Sequence, residues 1–230
     1  MSSAHTGRRR TVTISGLVTL ASVVAVLVVS GPSAGHPPAE HAHGQAVPMQ
    51  TTKAIRFHDD MRKLWEDHIT WTRLAIVSFA GNLPDFDPTA ARLLRNQTDI
   101  GNAIKPYYGR RAGNRLTALL KEHIAGAVEL LQAAKAGDDA KFAGAKEAWY
   151  RNGRQIARFL SNANPRFLPF AATNRLMQGH LDQTLDEAAH RLGGDFPADI
   201  RDYERIHRHI LMMADALSSG IIKQFPRRFR

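Results

Sequence analysis

From residue 52 onward apolar residues recur at steps of three and four, the spacing of one helix face, and nowhere alternate in the two-residue rhythm of a strand. Met61, Leu64, Trp65, Trp71 and Ala75 make one stripe, and Leu116, Leu119, Leu120, Ala127 and Leu130 another. A third runs through Phe142, Ala145, Trp149, Ile156 and Phe159, and Leu176, Met177 and Thr184 continue the pattern. Breakers separate the stripes. A first helix from about Thr52 to Phe79 should end at Gly81-Asn82 with Pro84 behind it. Asp87 before Pro88 opens a second, which stops at Pro106. Tyr107-Tyr108-Gly109 connects to a third, Arg110 to Ala136, closed by Gly137. Asp138 caps a fourth, which Asn164-Pro165 ends. A fifth spans about Thr173 to Leu192, and Pro197 opens a sixth that continues to Gln224. The expected fold is all-α, an antiparallel bundle of about six helices.

Near copies of one segment sit inside these helices. His68 in Asp67-His68-Ile69, His123 in Glu122-His123-Ile124 and His180 in Gly179-His180-Leu181 follow one another at almost constant intervals. Each is trailed, again at a nearly fixed distance, by a second signature: Arg95-Asn96, Arg151-Asn152 and Arg208-His209. This spacing predicts three copies of one helical hairpin. Each copy carries two polar residues on apolar stripes, and antiparallel helices place residues equidistant from the turn at one level. A turn near Gly137 leaves His123 and Asn152 equally far from it to within one position, and a turn near Asp195 does the same for His180 and His209. Polar layers pairing His123 with Asn152 and His180 with His209 follow. His68 and Asn96 match less well, because His68 stands farther from a turn near Pro84 than Asn96 does.

Composition bounds what such a bundle can do. The chain has 230 residues, and the regular repeat favours one domain. It has no cysteine, which removes disulfides, thiolate metal sites, cysteine nucleophiles and a lipid-anchored cysteine. Residues 1–35 read as a signal peptide or membrane anchor: Arg8, Arg9 and Arg10 precede the uncharged run Val12 to Val29, and small residues follow. At about 18 residues the run is also just long enough to span a bilayer, so membrane contact through residues 12–29 is one expectation and cleavage the other. The paired arginines resemble a twin-arginine leader without its usual Phe-Leu. Either way the body is expected outside the cytoplasm, exported or held on the outer face of the membrane. Residues 36–52 form a His- and Pro-rich linker, in which His36, His41 and His43 read as bystanders more readily than as a loose Cu or Zn site. Residues 53–230 are the helical bundle domain. Net charge is +10, compatible with anionic lipid or nucleic acid, although no nucleic-acid motif is present.

Candidate chemistry is sparse. His68, His123 and His180 could bind Fe, Cu or Zn if they converged. The repeat places each opposite its own hairpin partner instead, where Asn96, Asn152 or His209 can satisfy an imidazole without metal, and this structural reading is favoured. A second candidate is a pair of Glu-x-x-His motifs, Glu187 with His190 and Glu204 with His207. They resemble half of a ferritin-like di-iron or di-manganese site, with Glu66, Glu122, Glu129 and Glu147 available as further ligands. Arg205 and Arg208 beside them disfavour a cation. Tyr107, Tyr108 and Arg110 form a possible ligand loop, with a packed connector as the alternative. No Gly-x-Ser-x-Gly elbow or phosphate loop is present, so a non-enzymatic module is favoured over an enzyme. The expected partner is another envelope protein or a small ligand.

The set Trp65-x-x-His68-x-x-Trp71-Thr72-Arg73, Leu93-Leu94-Arg95-Asn96, Trp149-Tyr150-x-Asn152 and Gly220-Ile221-x-x-Gln224-Phe225-Pro226 resembles a family of uncharacterised envelope proteins of bacilli and actinomycetes. The resemblance covers nearly the whole chain after the leader. Names such as acetylglutamate kinase or glycosyltransferase attach to members, and neither suits an all-helical chain without a nucleotide-binding strand and loop. It implies a helical, exported protein and supplies no mechanism.

Overall fold

The structure is a computed structural model, and it describes residues 51–230; the leader and the histidines of the linker lie outside them. Five α-helices and a short 3-10 turn hold nearly all of these residues: α1 Thr52–Ala80, α2 Phe86–Ala136, α3 Asp139–Ala163, α4 Phe170–Gly193 and α5 Phe196–Gln224, then Pro226–Phe229. Each helix packs against the next, and α5 closes on α1. No helix among the described residues is long and apolar enough to cross a membrane.

Five helices stand where six were expected because α2 joins as one element two helical arms that meet at a kink three residues past the predicted stop at Pro106. Pro106 lies inside it, and Gly109 alone leaves helical geometry, at φ 82° and ψ 165°. That positive φ suits a residue without Cβ. The two arms of α2 fold back on each other from this elbow. A Cβ on Gly101 would lie 2.7 Å from the Gly113 carbonyl oxygen, and one on Gly113 would lie 2.5 Å from the Gly101 carbonyl oxygen. The arms therefore cross backbone to backbone.

Helix starts also differ from expectation. Asp85, not Asp87, precedes α2, and its carboxylate accepts from Ser78 Oγ at 2.5 Å instead of capping the helix. Pro169 starts α4 earlier than the expected Thr173, because its fixed φ of −60° already suits a helix entry. Asp138 and Asp195 do cap α3 and α5, accepting from the backbone N–H of Lys141 and Ala198.

Met61, Trp65, Ile69, Ile100, Leu119, Ile156, Leu181, Ile206 and Ile210 fill the core. The elbow, the start of α1, the α3–α4 connector and the segment after α5 share one pole. Tyr107 stacks on Phe229 with centroids 5.3 Å apart, Phe57 meets Tyr107 at 4.9 Å, and Gln224 Nε2 donates to the Ala163 carbonyl. At the opposite pole Lys135 Nζ reaches the Phe79 carbonyl at 2.6 Å and Asn82 Oδ1 at 2.6 Å.

Candidate functional site

Halfway between the poles the six polar residues singled out by their spacing form one layer, in which all but the half-buried Asn152 are buried. His123 Nδ1–H donates to Asn152 Oδ1 at 3.1 Å. Asn152 Nδ2 donates in turn to the Leu119 carbonyl at 3.1 Å, one helical turn before His123. The same reach recurs twice. Asn96 Nδ2 donates to the Leu64 carbonyl at 2.9 Å, and His209 Nε2–H to the Leu176 carbonyl at 2.8 Å, again one turn before His68 and His180. The carbonyl of each histidine also accepts a second donor: Thr72 Oγ1 for His68, Trp149 Nε1 for His123 and Thr184 Oγ1 for His180. Where Ala127 replaces threonine, the tryptophan of the facing helix supplies the bond.

Two expected pairs take other partners. His68 accepts from Gln97 Nε2 at 3.1 Å, while Asn96 Oδ1 also accepts from that amide. Neighbouring residues on a helix are about 100° apart, so both Asn96 and Gln97 can point inward from the first arm of α2. His180 makes no hydrogen bond to His209. The imidazole of His209 is longer than an asparagine side chain and slides over Gly179, where a Cβ would stand 3.0 Å from Cε1. His180 Nδ1 is left buried without a partner.

The histidines also gather, contrary to the expectation that each would answer only its own hairpin. The His180 ring lies 5.6 Å from that of His68 and 5.9 Å from that of His123, and Trp149 stacks on His123 at 5.0 Å. Residues at equal heights on successive helices become one layer once the ring of helices closes. Burial holds these imidazoles neutral. It pushes His68 down to about 3, with the field of His123 adding to it, and His123 down to about 4. It pushes His180 well below the usual value, helped by His68, His123 and His209.

A second buried polar group has no counterpart in the sequence reading. Arg73 of α1 donates to Glu187 Oε1 of α4 at 3.0 Å and to both carboxylate oxygens of Asp199 of α5. Glu187 and Asp199 have no exposed surface, and Arg191 adds a contact to Asp199 at 3.4 Å. Burial, only partly offset by Arg73, raises the Glu187 carboxyl to about 7. Its Oε2 is buried and unpaired. Acidic residues on the apolar stripe Asp199, Asp202, Ile206, His209 were the available sign of this group.

The two Glu-x-x-His motifs do not converge. Glu187 is held by Arg73, His190 Nδ1–H donates to Asp202 at 2.6 Å, His207 Nε2–H donates to Glu66 at 3.0 Å, and Glu204 is exposed. Among the described residues no group of three or more His, Asp or Glu side chains is arranged to hold a metal ion. The expected ligand loop is likewise occupied. Tyr107 lies among Phe57, Phe225 and Phe229, Tyr108 donates to Gln224 Oε1 at 2.6 Å, and only Arg110 stands free in solvent. Two apolar cavities of about 50 and 20 Å³ flank the layer, the larger lined by Ile76, Leu93, Ile124 and Leu131 among others.

No family model, curated protein or solved structure was found to match the chain.

Proposed function

We propose that the chain is a non-enzymatic, exported helical-bundle module of the cell envelope, whose buried polar residues fix the register of its helices and whose surface does the binding. The observation that carries this reading is the bond made three times over. In each copy a side chain of the second helix donates to the carbonyl one turn before the histidine of the first. Polar groups consumed this way set which residues face one another between otherwise interchangeable apolar helices. The same recurrence supports a threefold duplication of one hairpin, with the two arms of α2 serving in different copies. The uncharged run Val12 to Val29 after three arginines, and the resemblance to envelope proteins, support export.

One observation favours a second reading, a mononuclear metal site. Three neutral imidazoles from three segments approach to within 5.6 and 5.9 Å, and His180 Nδ1 has no partner. Hydrogen bonding of Nδ1 leaves Nε2 of His123 as its lone-pair nitrogen, the tautomer a ligand needs. His68, by contrast, accepts from Gln97 at Nδ1, carries its proton on Nε2, and would have to give up that bond or change tautomer to bind a metal. Fe, Cu or Zn suits such a set.

Metal analysis of protein from its native compartment separates the two. The module reading expects metal-free protein whose unfolding midpoint is unchanged by chelator. Stoichiometric metal that disappears in His180→Leu overturns it in favour of the second.

A further inference from the structure

The two halves of the bundle carry very different charge. On the elbow side of the histidine layer, residues 51–67, 98–122, 153–179 and 210–230 hold seventeen Lys and Arg against seven Asp and Glu. On the other side, residues 69–96, 124–151 and 181–208 hold eleven against thirteen. At the elbow pole Arg56, Arg110, Arg111, Arg166, Arg227 and Arg228 are all exposed. None of them lies within ion-pair distance of a carboxylate among the described residues; the ion pairs of this half belong to others, such as Arg62 with Asp215 and Lys63 with Asp67.

From this we infer that the elbow pole is a docking surface for an anionic phospholipid bilayer. The six cations come from four separate segments, which spreads them over a pole instead of focusing them on one small anion. A broad array of this kind suits a broad anionic surface. The aromatic residues nearby are committed to one another: Phe57, Tyr107, Phe225 and Phe229 stack within 4.9 to 5.8 Å, so none is presented to a nucleic-acid base. Ile55, 47% exposed in the first turn of α1, adds an apolar contact at this pole. The chain also enters the bundle here, since Thr51 Oγ1 donates to the Phe229 carbonyl. The segment that precedes Thr51 in the sequence therefore connects to the bundle at its basic pole. The inference deepens the module reading by naming its partner, and metal content plays no part in its test, so either can fail alone.

The test is flotation of the full chain with phosphatidylcholine vesicles, with and without phosphatidylglycerol, at low and high salt. Two variants act at different segments of the pole, Arg110→Glu with Arg111→Glu and Arg227→Glu with Arg228→Glu. Lys141→Glu with Arg201→Glu alters the other half and serves as control. Each pole variant should partition onto phosphatidylglycerol vesicles at least about tenfold more weakly than the parent. Binding to phosphatidylcholine alone should not change, and the control should match the parent. Arg8 to Arg10 are common to all, so the difference reports the bundle. Equal partitioning of parent and both pole variants overturns the inference. So does binding insensitive to salt, or duplex DNA stripping the parent from phosphatidylglycerol vesicles at equal charge.

Discussion

Where α1, α4 and α5 carry Arg73, Glu187 and Asp199, opposite charges are drawn inside to neutralise one another, whereas at the elbow pole the arginines stand in solvent with no carboxylate within ion-pair distance among the described residues. The inner group loses hydration on every member and recovers it through direct, partly bidentate bonds, so it makes the fold intolerant of losing one partner. The outer cations repel one another slightly, screened by water and salt, and do nothing for the fold. Charge that helps neither packing nor pairing is free to serve contacts outside the molecule. The same sequence thus separates a half that locks three helices from a half that faces outward.

The largest effect expected from breaking this contrast is at Arg73. Arg73→Leu strands two buried carboxylates and should cost about 3–5 kcal/mol in urea unfolding at neutral pH. If it costs no more than a surface change, the inner group is not what holds α1 to α4 and α5.

Acid comes next, because the histidine layer and the inner carboxyl respond to pH with opposite signs. Below pH 6.5 the unfolded chain takes up protons that the buried imidazoles refuse, so stability falls as pH drops towards 4 and 3. Glu187 titrates at about 7 when folded and 4.5 when not, so its contribution is fully present below 4.5 and lost as pH rises to about 7. Thermal midpoints should therefore fall gently from pH 6.5 to 4.5, where the two oppose, and steeply below 4.5. In Glu187→Gln the upper window should steepen as well; an unchanged slope there would show that Glu187 keeps its ordinary value.

A smaller loss is expected at Asn152. Asn152→Leu leaves the buried Nδ1–H of His123 without an acceptor and should cost about 1–3 kcal/mol in the same urea experiment. Replacing His123 and Asn152 together by leucine should cost less than the two single changes added, and strict additivity would mean that the pair is not coupled. Smallest of all, Arg110→Glu with Arg111→Glu should leave the unfolding midpoint where it was, since nothing in the bundle relies on them.

Much of this was readable from the chain. Stripes and breakers located every helical segment, and counting from Gly137 brought His123 to Asn152. Counting failed where the turn was loosely defined. About Pro84 it left His68 and Asn96 at unequal distances, and only three-dimensional packing lets Gln97 share the inward face with Asn96 and reach His68. It failed again at Gly179, whose missing side chain admits His209 over the helix and shifts its bond to a carbonyl. The gathering of His68, His123 and His180 depends on α5 closing against α1, a fact no local spacing contains. Arg73 meets Asp199 from the far end of the bundle's sequence, beyond any motif, and the acidic positions on the α5 stripe were its one local trace. At Pro106 the chain contradicted the usual rule, because the residue that breaks the helix is Gly109, nearly a turn later.

The ring closes where it opens: Thr51 touches Phe229, and Lys53 reaches the Arg230 carbonyl at 2.7 Å. Gly109, at the same pole, has no atom within 4 Å of where a side chain would begin. A permuted gene that splices Arg230 to Thr51 through a short loop and starts translation at Arg110 would encode the same circuit of helices, cut at a different seam.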